Sequence, residues 1–225
     1  MPRRKLVVAI DGPSGSGKST VAREVASALG LRYLDTGAMY RAVTWLALHD
    51  GVELGDAGGL GRLARGAQLE ITTDPRVPRI LAAGQDLSET VRSPEVTAAV
   101  STVSAVPEVR AAMVERQRQI IDDGGIVVEG RDIGTTVVPD APVKVFLTAD
   151  AATRAQRRTR QDGRGDIPDS VGQTEADLAR RDTADATRAA SPLQQPPDAI
   201  VIDSSELPVA AVVARILDAA AAVAP

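Results

Sequence analysis

The stretch Leu6-Val-Val-Ala-Ile10-Asp-Gly12-Pro13-Ser14-Gly15-Ser16-Gly17-Lys18-Ser19-Thr20 decides the fold. Leu6 to Ile10 is apolar and rich in β-branched residues, and Asp-Gly-Pro ends the run. That is the pattern of a strand buried on both faces of a parallel sheet. Gly12 to Ser19 then fits G-x-x-x-x-G-K-[ST]. In such a loop the glycines let the backbone curl until successive N–H groups face one phosphate, and the following helix adds its positive end. Lys18 is placed to bridge the outer phosphates of a nucleoside triphosphate, and Ser19 to meet a magnesium ion. The motif follows a predicted strand and opens a helix expected from Lys18 to about Leu29, stopped by Gly30. An ordinary glycine-rich turn is the plain alternative. A guanine-nucleotide switch is another, but its Asn-Lys-x-Asp base-reading motif does not occur.

Outward from the loop, the strand signal returns at Leu31–Leu34, Ile126–Glu129, Val143–Leu147 and Ala199–Ile202, with helical patterns between. The alternation predicts an α/β fold with a parallel sheet covered on both faces. Asp35 or Thr36 can cap a helix running to about His49. Two regions break the rhythm. Residues 63–92 carry Pro75, Pro78 and Gly84, with short β-like runs at Leu69–Thr73 and Arg79–Leu81, which reads as a small antiparallel insertion. Residues 160–172 are polar and glycine-containing, as suits a mobile lid. Gly55–Gly66 is glycine-rich, but the chain shows no repeat and no long disordered tract. Pro208 to Val223 reads as an Ala-rich packing helix, Trp45 as a core residue and His49 as a helix-end residue without a catalytic part.

Composition narrows the function. The chain has 225 residues, enough for a full core without staples, and a formal charge of -4. With one Phe, one Trp and two Tyr it lacks stacking platforms for single strands, and it lacks a domain-wide basic excess. Nucleic acid is therefore not an expected partner. No Cys and a single His exclude disulfides, thiolate metal sites and histidine triads. The apolar run at Leu6–Ile10 is too short for a signal peptide, and none approaches the roughly 20 residues of a membrane span. A cytoplasmic protein without a membrane partner is expected.

The phosphate loop holds one anion, and groups of arginines offer to hold a second. Arg41 lies in the helix after Asp35-Thr36-Gly37. Arg131 and Asp132 follow the strand Ile126–Glu129, at the edge where open α/β sheets bind ligands. Arg154, Arg157 and Arg158 share one helical face, as do Arg181, Asp185 and Arg188. Joining two phosphates needs cations from several directions, because phosphoryl transfer is catalysed mainly by positioning and electrostatics. The bland reading of the last two groups is a solvated helix face of i,i+4 ion pairs, worth a few tenths of a kcal/mol.

Four segments go beyond a generic phosphate loop: Ile10-Asp-Gly-Pro-Ser-Gly-Ser-Gly-Lys-Ser19, Leu34-Asp-Thr-Gly-Ala-Met-Tyr-Arg41, Glu129-Gly-Arg-Asp-Ile-Gly-Thr-Thr-Val-Val-Pro-Asp140 and Arg180-Arg-Asp-x-x-Asp-x-x-Arg188. Together they closely resemble bacterial cytidylate kinase, a P-loop nucleoside monophosphate kinase, from about residue 5 to 217. The resemblance implies a single P-loop kinase domain over 1–225, with a five-stranded parallel sheet of order 2-3-1-4-5. Within it, 63–92 would be the NMP-binding insertion and 154–172 the lid. It implies ATP with Mg²⁺ as donor, held by Gly12 through Thr20 with Arg154 and Arg157. It implies CMP or dCMP as acceptor: Ser14, Arg41 and Arg131 on the phosphate, Ser101, Arg110, Asp132 and Arg188 around the cytosine, Asp185 with Arg181 at the ribose. Lys18, Arg131, Asp132, Arg157 and Arg158 would serve the transfer. Thr36 replaces a serine of many relatives and keeps its hydroxyl in the substrate site, and Glu129 stands where some relatives have Asp, in reach of a magnesium-bound water. A monomer is implied.

The chemistry of the base agrees. Cytosine presents an amino donor where uracil has an acceptor, so Asp132 or Ser101 can accept from it, while arginines can only donate. Kinases for UMP, AMP, dTMP or shikimate are the rival enzymes. A non-catalytic nucleotide-binding regulator is the rival of another class, and would be expected to have lost Lys18, Arg131 or the lid arginines.

Overall fold

The computed structural model describes residues 6–122, 124–163 and 170–223. Strand β1 (Val7–Asp11) lies at the centre of a parallel sheet, paired with β6 (Ile126–Gly130) on one side and β7 (Val143–Thr148) on the other. β2 (Arg32–Asp35) and β8 (Ile200–Asp203) complete it, in the order β2-β6-β1-β7-β8. Counted among themselves the sheet strands run 2-3-1-4-5, as expected.

Every residue of β1 is buried, and its alternation splits the core in two. Val7 and Ala9 join Leu34, Ile126 and Val128 beneath the helices α2 (Thr36–His49), α4 (Pro94–Ala105) and α5 (Pro107–Ile121). Val8 and Ile10 join Val127, Val145 and Ile202 beneath α1 (Lys18–Leu29) and α8 (Val209–Val223). Each such Val, Leu or Ile contributes about 1.5–3 kcal/mol by leaving water. Aliphatic side chains do nearly all of this, so the scarcity of aromatics costs the core little. Helix α1 ends where expected, with Gly30 in the left-handed conformation, and α2 starts on Asp35, whose carboxylate accepts from the Ala38 N–H at 3.0 Å. Trp45 packs against the core and stacks on His49 at 4.6 Å between ring centroids.

The glycine-rich Gly55–Gly66 stretch turns out to contain a helix, α3 (Ala57–Gly66), capped by Asp56. One of its glycines serves packing against α5: a Cβ on Gly61 would lie 2.6 Å from the Glu108 Cβ. Composition alone argues against this helix, since glycine costs about 1 kcal/mol per helical position. After it come the short strands β3 (Leu69–Ile71), β4 (Ile80–Ala82) and β5 (Gln85–Asp86), a separate antiparallel sheet, and a 3₁₀ turn at Thr90–Arg92. Residues 63–92 thus cover the end of α3, this sheet and the turn. Helices α6 (Ala151–Gln161) and α7 (Ser170–Thr187) pack together. Of the expected lid, 164–169 lie outside the described residues. Among the described residues no helix is long and apolar enough to cross a membrane.

Candidate active site

The carboxyl ends of the sheet strands open into a cavity of about 510 Å³. One wall is the phosphate loop. It turns sharply because Gly12, at φ 149°, presses on β7; a Cβ there would lie 2.0 Å from the Leu147 carbonyl oxygen. Gly12 and Pro13 therefore shape the loop from behind, while Ser14 through Thr20 line the cavity. Lys18 is buried, and its ammonium folds back to donate to the Pro13 carbonyl at 2.6 Å and the Ser16 hydroxyl at 3.4 Å. Burial, then the nearby Arg131, push its pKa well below the usual lysine value. Ser19 donates to Glu129 Oε2 at 3.0 Å, and Tyr33 donates to the other oxygen of the same carboxylate. Burial, then the charge of Asp35, push the Glu129 carboxyl upward.

Arg154, expected on the donor, does not line the cavity. Its guanidinium donates to the Ser14 carbonyl at 3.0 Å, to Asp182 and to the Ala149 carbonyl. Asp182 in turn accepts from the Ser14 N–H at 3.2 Å. The pair grips the Ser14 peptide from both sides and so supports the loop from outside. The reason is local geometry: Gly15 lies so close to α6 that a Cβ would sit 2.9 Å from the Arg154 carbonyl oxygen. Arg157, one turn on, does reach the cavity. It is held by Ser204, its two terminal nitrogens donating to the hydroxyl at 2.9 Å and the carbonyl at 2.6 Å. Leu207, Val209 and Val212 make an apolar corner there.

The opposite wall is built from arginines and carboxylates on separate elements. Arg110 of α5 donates to Asp132 and lies over the Tyr40 ring at 5.1 Å. Arg188, after α7, stands 3.8 Å from Asp132 and 3.4 Å from Asp185. Arg131 donates to Asp185 at 3.0 Å. Arg41 of α2 donates to the Val91 carbonyl and the Thr97 hydroxyl, and Arg158 to Asp162. Arg41, Ser101, Arg110, Arg131, Asp132, Arg158, Arg181, Asp185 and Arg188 all line this one cavity. Thr36 lines it too, but its hydroxyl donates to the Glu129 carbonyl at 2.7 Å, which fixes the end of β6.

Here the charges are not balanced. Burial first, then Arg181, Arg158 and Arg92, pull the Arg41 pKa down to about 9. Burial, then Arg131, pull Arg181 down to about 10. Guanidinium groups do not give up their protons at neutral pH; burial is the first cause of both shifts, and the neighbouring arginines add to it. Arg110 Nε, Arg181 Nε, one terminal nitrogen of Arg188 and the Tyr40 hydroxyl are buried without a hydrogen-bond partner among the described residues. Buried polar groups are nearly always satisfied. What satisfies these must bring acceptors.

The family model described as cytidylate kinase matches residues 8–222. The chain belongs to the cytidylate kinase family. It is 49% identical over 214 residues to the cytidylate kinase of Mycolicibacterium paratuberculosis, covering 95% of this chain and 94% of that one. It is 50% identical over 221 residues to that of Rhodococcus jostii, covering 96% and 95%. A bifunctional pantoate ligase/cytidylate kinase from Synechococcus is 52% identical over 210 residues, which span 92% of this chain and 39% of that protein.

The cavity residues that the sequence did not single out include Tyr40, Arg92, Ser104 and Ser204. Tyr40 precedes Arg41 in the same motif, so helix α2 could have supplied it. Arg92, 3.4 Å from Asp35, arrives from the 3₁₀ turn after the small sheet, and no periodicity points there.

Proposed function

We propose that this chain transfers the γ-phosphoryl group of ATP to CMP or dCMP, giving CDP or dCDP, a step of pyrimidine nucleotide metabolism, as a cytoplasmic monomer. One observation carries the reading. A phosphate loop and a wall of under-neutralised arginines face each other across a single cavity. One triphosphate does not need both walls; two phosphorylated ligands meeting end to end do.

In the reaction an oxygen of the acceptor phosphate forms a bond to the γ-phosphorus, and the bond from that phosphorus to the β-bridging oxygen breaks. The acceptor is already an anion, so no side chain has to remove a proton. The chain's task is to hold two anions together and to stabilise the charge spread over the transferring group. Lys18 and the amides of Ser14 through Thr20 hold the donor phosphates. Ser14, Arg41 and Arg131 take the acceptor phosphate, Arg157 and Arg158 reach the transferring group from α6, and Asp185 with Arg181 takes the ribose. Lys18 and Arg131 repel each other until phosphate lies between them. The Ser19 hydroxyl and the Glu129 carboxylate are oxygen donors of the class that magnesium accepts, and would hold it beside the nucleotide. Bound there, the ion would neutralise charge on the β- and γ-oxygens.

Asp132 reads the base. Arg110 and Arg188 fix its carboxylate, leaving it an acceptor for the cytosine amino group, and Ser101 lies on the same wall. Uracil would set a carbonyl oxygen against that acceptor, and a site with a mispaired buried polar group rejects the analogue strongly. Residues 63–92 act as the acceptor-side insertion and 154–172 as a lid, whose closure would exclude water. Initial rates of ADP release with ATP–Mg²⁺ and CMP, dCMP, UMP, AMP, dTMP or shikimate test the whole proposal. CMP and dCMP should be the substrates. No ATP consumption with either would overturn it.

A further inference from the structure

Strands β1 and β6 run side by side in register, with Ile10 opposite Glu129 and Asp11 opposite Gly130. After Asp11 the chain becomes the phosphate loop. After Gly130 it becomes Arg131 and Asp132, followed by a single π-type turn at Ile133–Val137. Both walls of the cavity therefore spring from neighbouring strand ends, and something must fix their spacing once the ladder stops.

The first N–H groups of any helical turn lack partners within the turn. Here Asp11 supplies them from more than a hundred residues away in sequence. Its Oδ1 accepts from the Ile133 N–H at 2.9 Å, and its Oδ2 accepts from the Gly134 N–H at 2.8 Å. Asp11 is 1% exposed and is not among the residues lining the cavity. Burial pushes its carboxyl up to about 6 and the two amides oppose that shift, so the amides are what keep a charged group there. The turn is gripped from its other side as well. A Cβ on Gly134 would meet Pro196 at 3.0 Å, the Lys144 side chain at 3.2 Å and Asp11 Oδ2 at 3.4 Å.

We propose that Asp11 is a positioning residue: it sets where Arg131 and Asp132 stand relative to the phosphate loop, and acts on acceptor choice without touching either nucleotide. This rests on the reading of the cavity as an ATP–CMP site. The loop itself has independent supports in the Arg154–Asp182 grip on Ser14 and in the Ser204 hydroxyl, which donates to the Ser16 carbonyl. The turn that carries Asp132 has Asp11. Loosening Asp11 should therefore disturb the acceptor side far more than the donor side. A carboxylate that merely stitched the sheet edge would lower the melting temperature and change both substrates alike.

Asp11→Asn keeps one accepting oxygen and sets an NH₂ against the other amide. Expected are a KM for CMP raised about 10-fold or more and a CMP-to-UMP ratio of kcat/KM reduced by a similar factor, with the KM for ATP within about 3-fold of wild type. Equal rises for ATP and CMP, or an unchanged ratio, would overturn the proposal whatever happens to stability. If Asp11→Asn does not fold, Gly134→Ala decides, since its methyl group would crowd Pro196 and the Lys144 side chain and so displace the same turn that Asp11 holds. A CMP-to-UMP ratio lowered about 3-fold or more sustains the proposal, and an unchanged ratio overturns it. Wild type is measured in the same assay. If it consumes no ATP with CMP, the substrate reading falls and takes this inference with it; if it turns over beside a variant of unchanged ratio, only the inference falls.

Discussion

The two walls of the cavity solve the problem of holding phosphate in opposite ways. The phosphate loop is satisfied by its own chain: Lys18 donates to the loop it belongs to, Ser204 holds the Ser16 carbonyl, and Asp182 with Arg154 hold the Ser14 peptide. The arginine wall is unsatisfied. Its guanidinium groups come from α2, α5, α6, α7 and the segments after β6 and α7, they crowd one another, and several buried donors have no acceptor among the described residues. One wall is organised before its ligand arrives, and the other stores positive potential that only its ligand relieves. A preorganised wall spends little on reorganisation during the reaction. A charged wall draws its anion strongly and holds it against a like-charged partner.

The largest expected effect tests the donor wall. Lys18→Met keeps the aliphatic stem and the loop's other supports, so ATP binding should change modestly while kcat falls about 10³-fold, or ~4 kcal/mol of transition-state stabilisation. Retained turnover would break the comparison at its root. Next is Asp132→Ala, which should lower kcat/KM for CMP about 10²-fold and for UMP less than about 10-fold. It also leaves Arg110 buried without its partner, so the melting temperature should fall as well. The substrate ratio is the informative readout, and equal losses would deny Asp132 its part in reading the base. Arg154→Ala sharpens the contrast between touching a ligand and supporting a loop. It should raise the KM for ATP about 10-fold, and Asp182→Asn should do nearly the same. If only Arg154→Ala acts, the guanidinium meets the nucleotide directly.

The same division explains what was legible in the chain. The phosphate loop is a local device whose glycines, lysine and serine are contiguous, so Gly12–Ser19 announced strand, turn and helix together. The central sheet strands were equally plain, because a strand buried on both faces leaves an unbroken apolar run, as at Val7–Ile10 and Ile126–Val128. The arginine wall is not local. Resemblance to a family named most of its members; spacing alone left Arg154 indistinguishable from Arg157, although one supports the loop and the other faces the cavity. Arg92 and Ser104 were missed because nothing near them in the sequence marks the direction of their side chains. The α3 helix was missed for another reason: Gly61 is fitted to the surface of α5, and local propensity argues against the helix's glycines.

The smallest expected effect bears on the comparison most directly, because it concerns the protein without ligands. Arg181 is drawn down by burial and by the neighbouring Arg131, with Asp185 opposing, and its Nε has no hydrogen-bond partner among the described residues. Arg181→Met keeps much of the packing and removes the charge. Replacing a poorly compensated buried charge by an apolar group of similar size is often neutral or stabilising. The unliganded variant should be more stable by about 1 kcal/mol, a rise in Tm of roughly 3 °C for a chain of this size, read by thermal unfolding. The further rise that CMP gives wild type should shrink in the variant, since part of what CMP relieves is already gone. Lys18→Met should gain nothing of this kind, because its ammonium already has the Pro13 carbonyl and the Ser16 hydroxyl as acceptors. If Arg181→Met lowered Tm without ligand, the guanidinium would be a supported part of the fold, and the arginine wall would be as self-sufficient as the loop it faces.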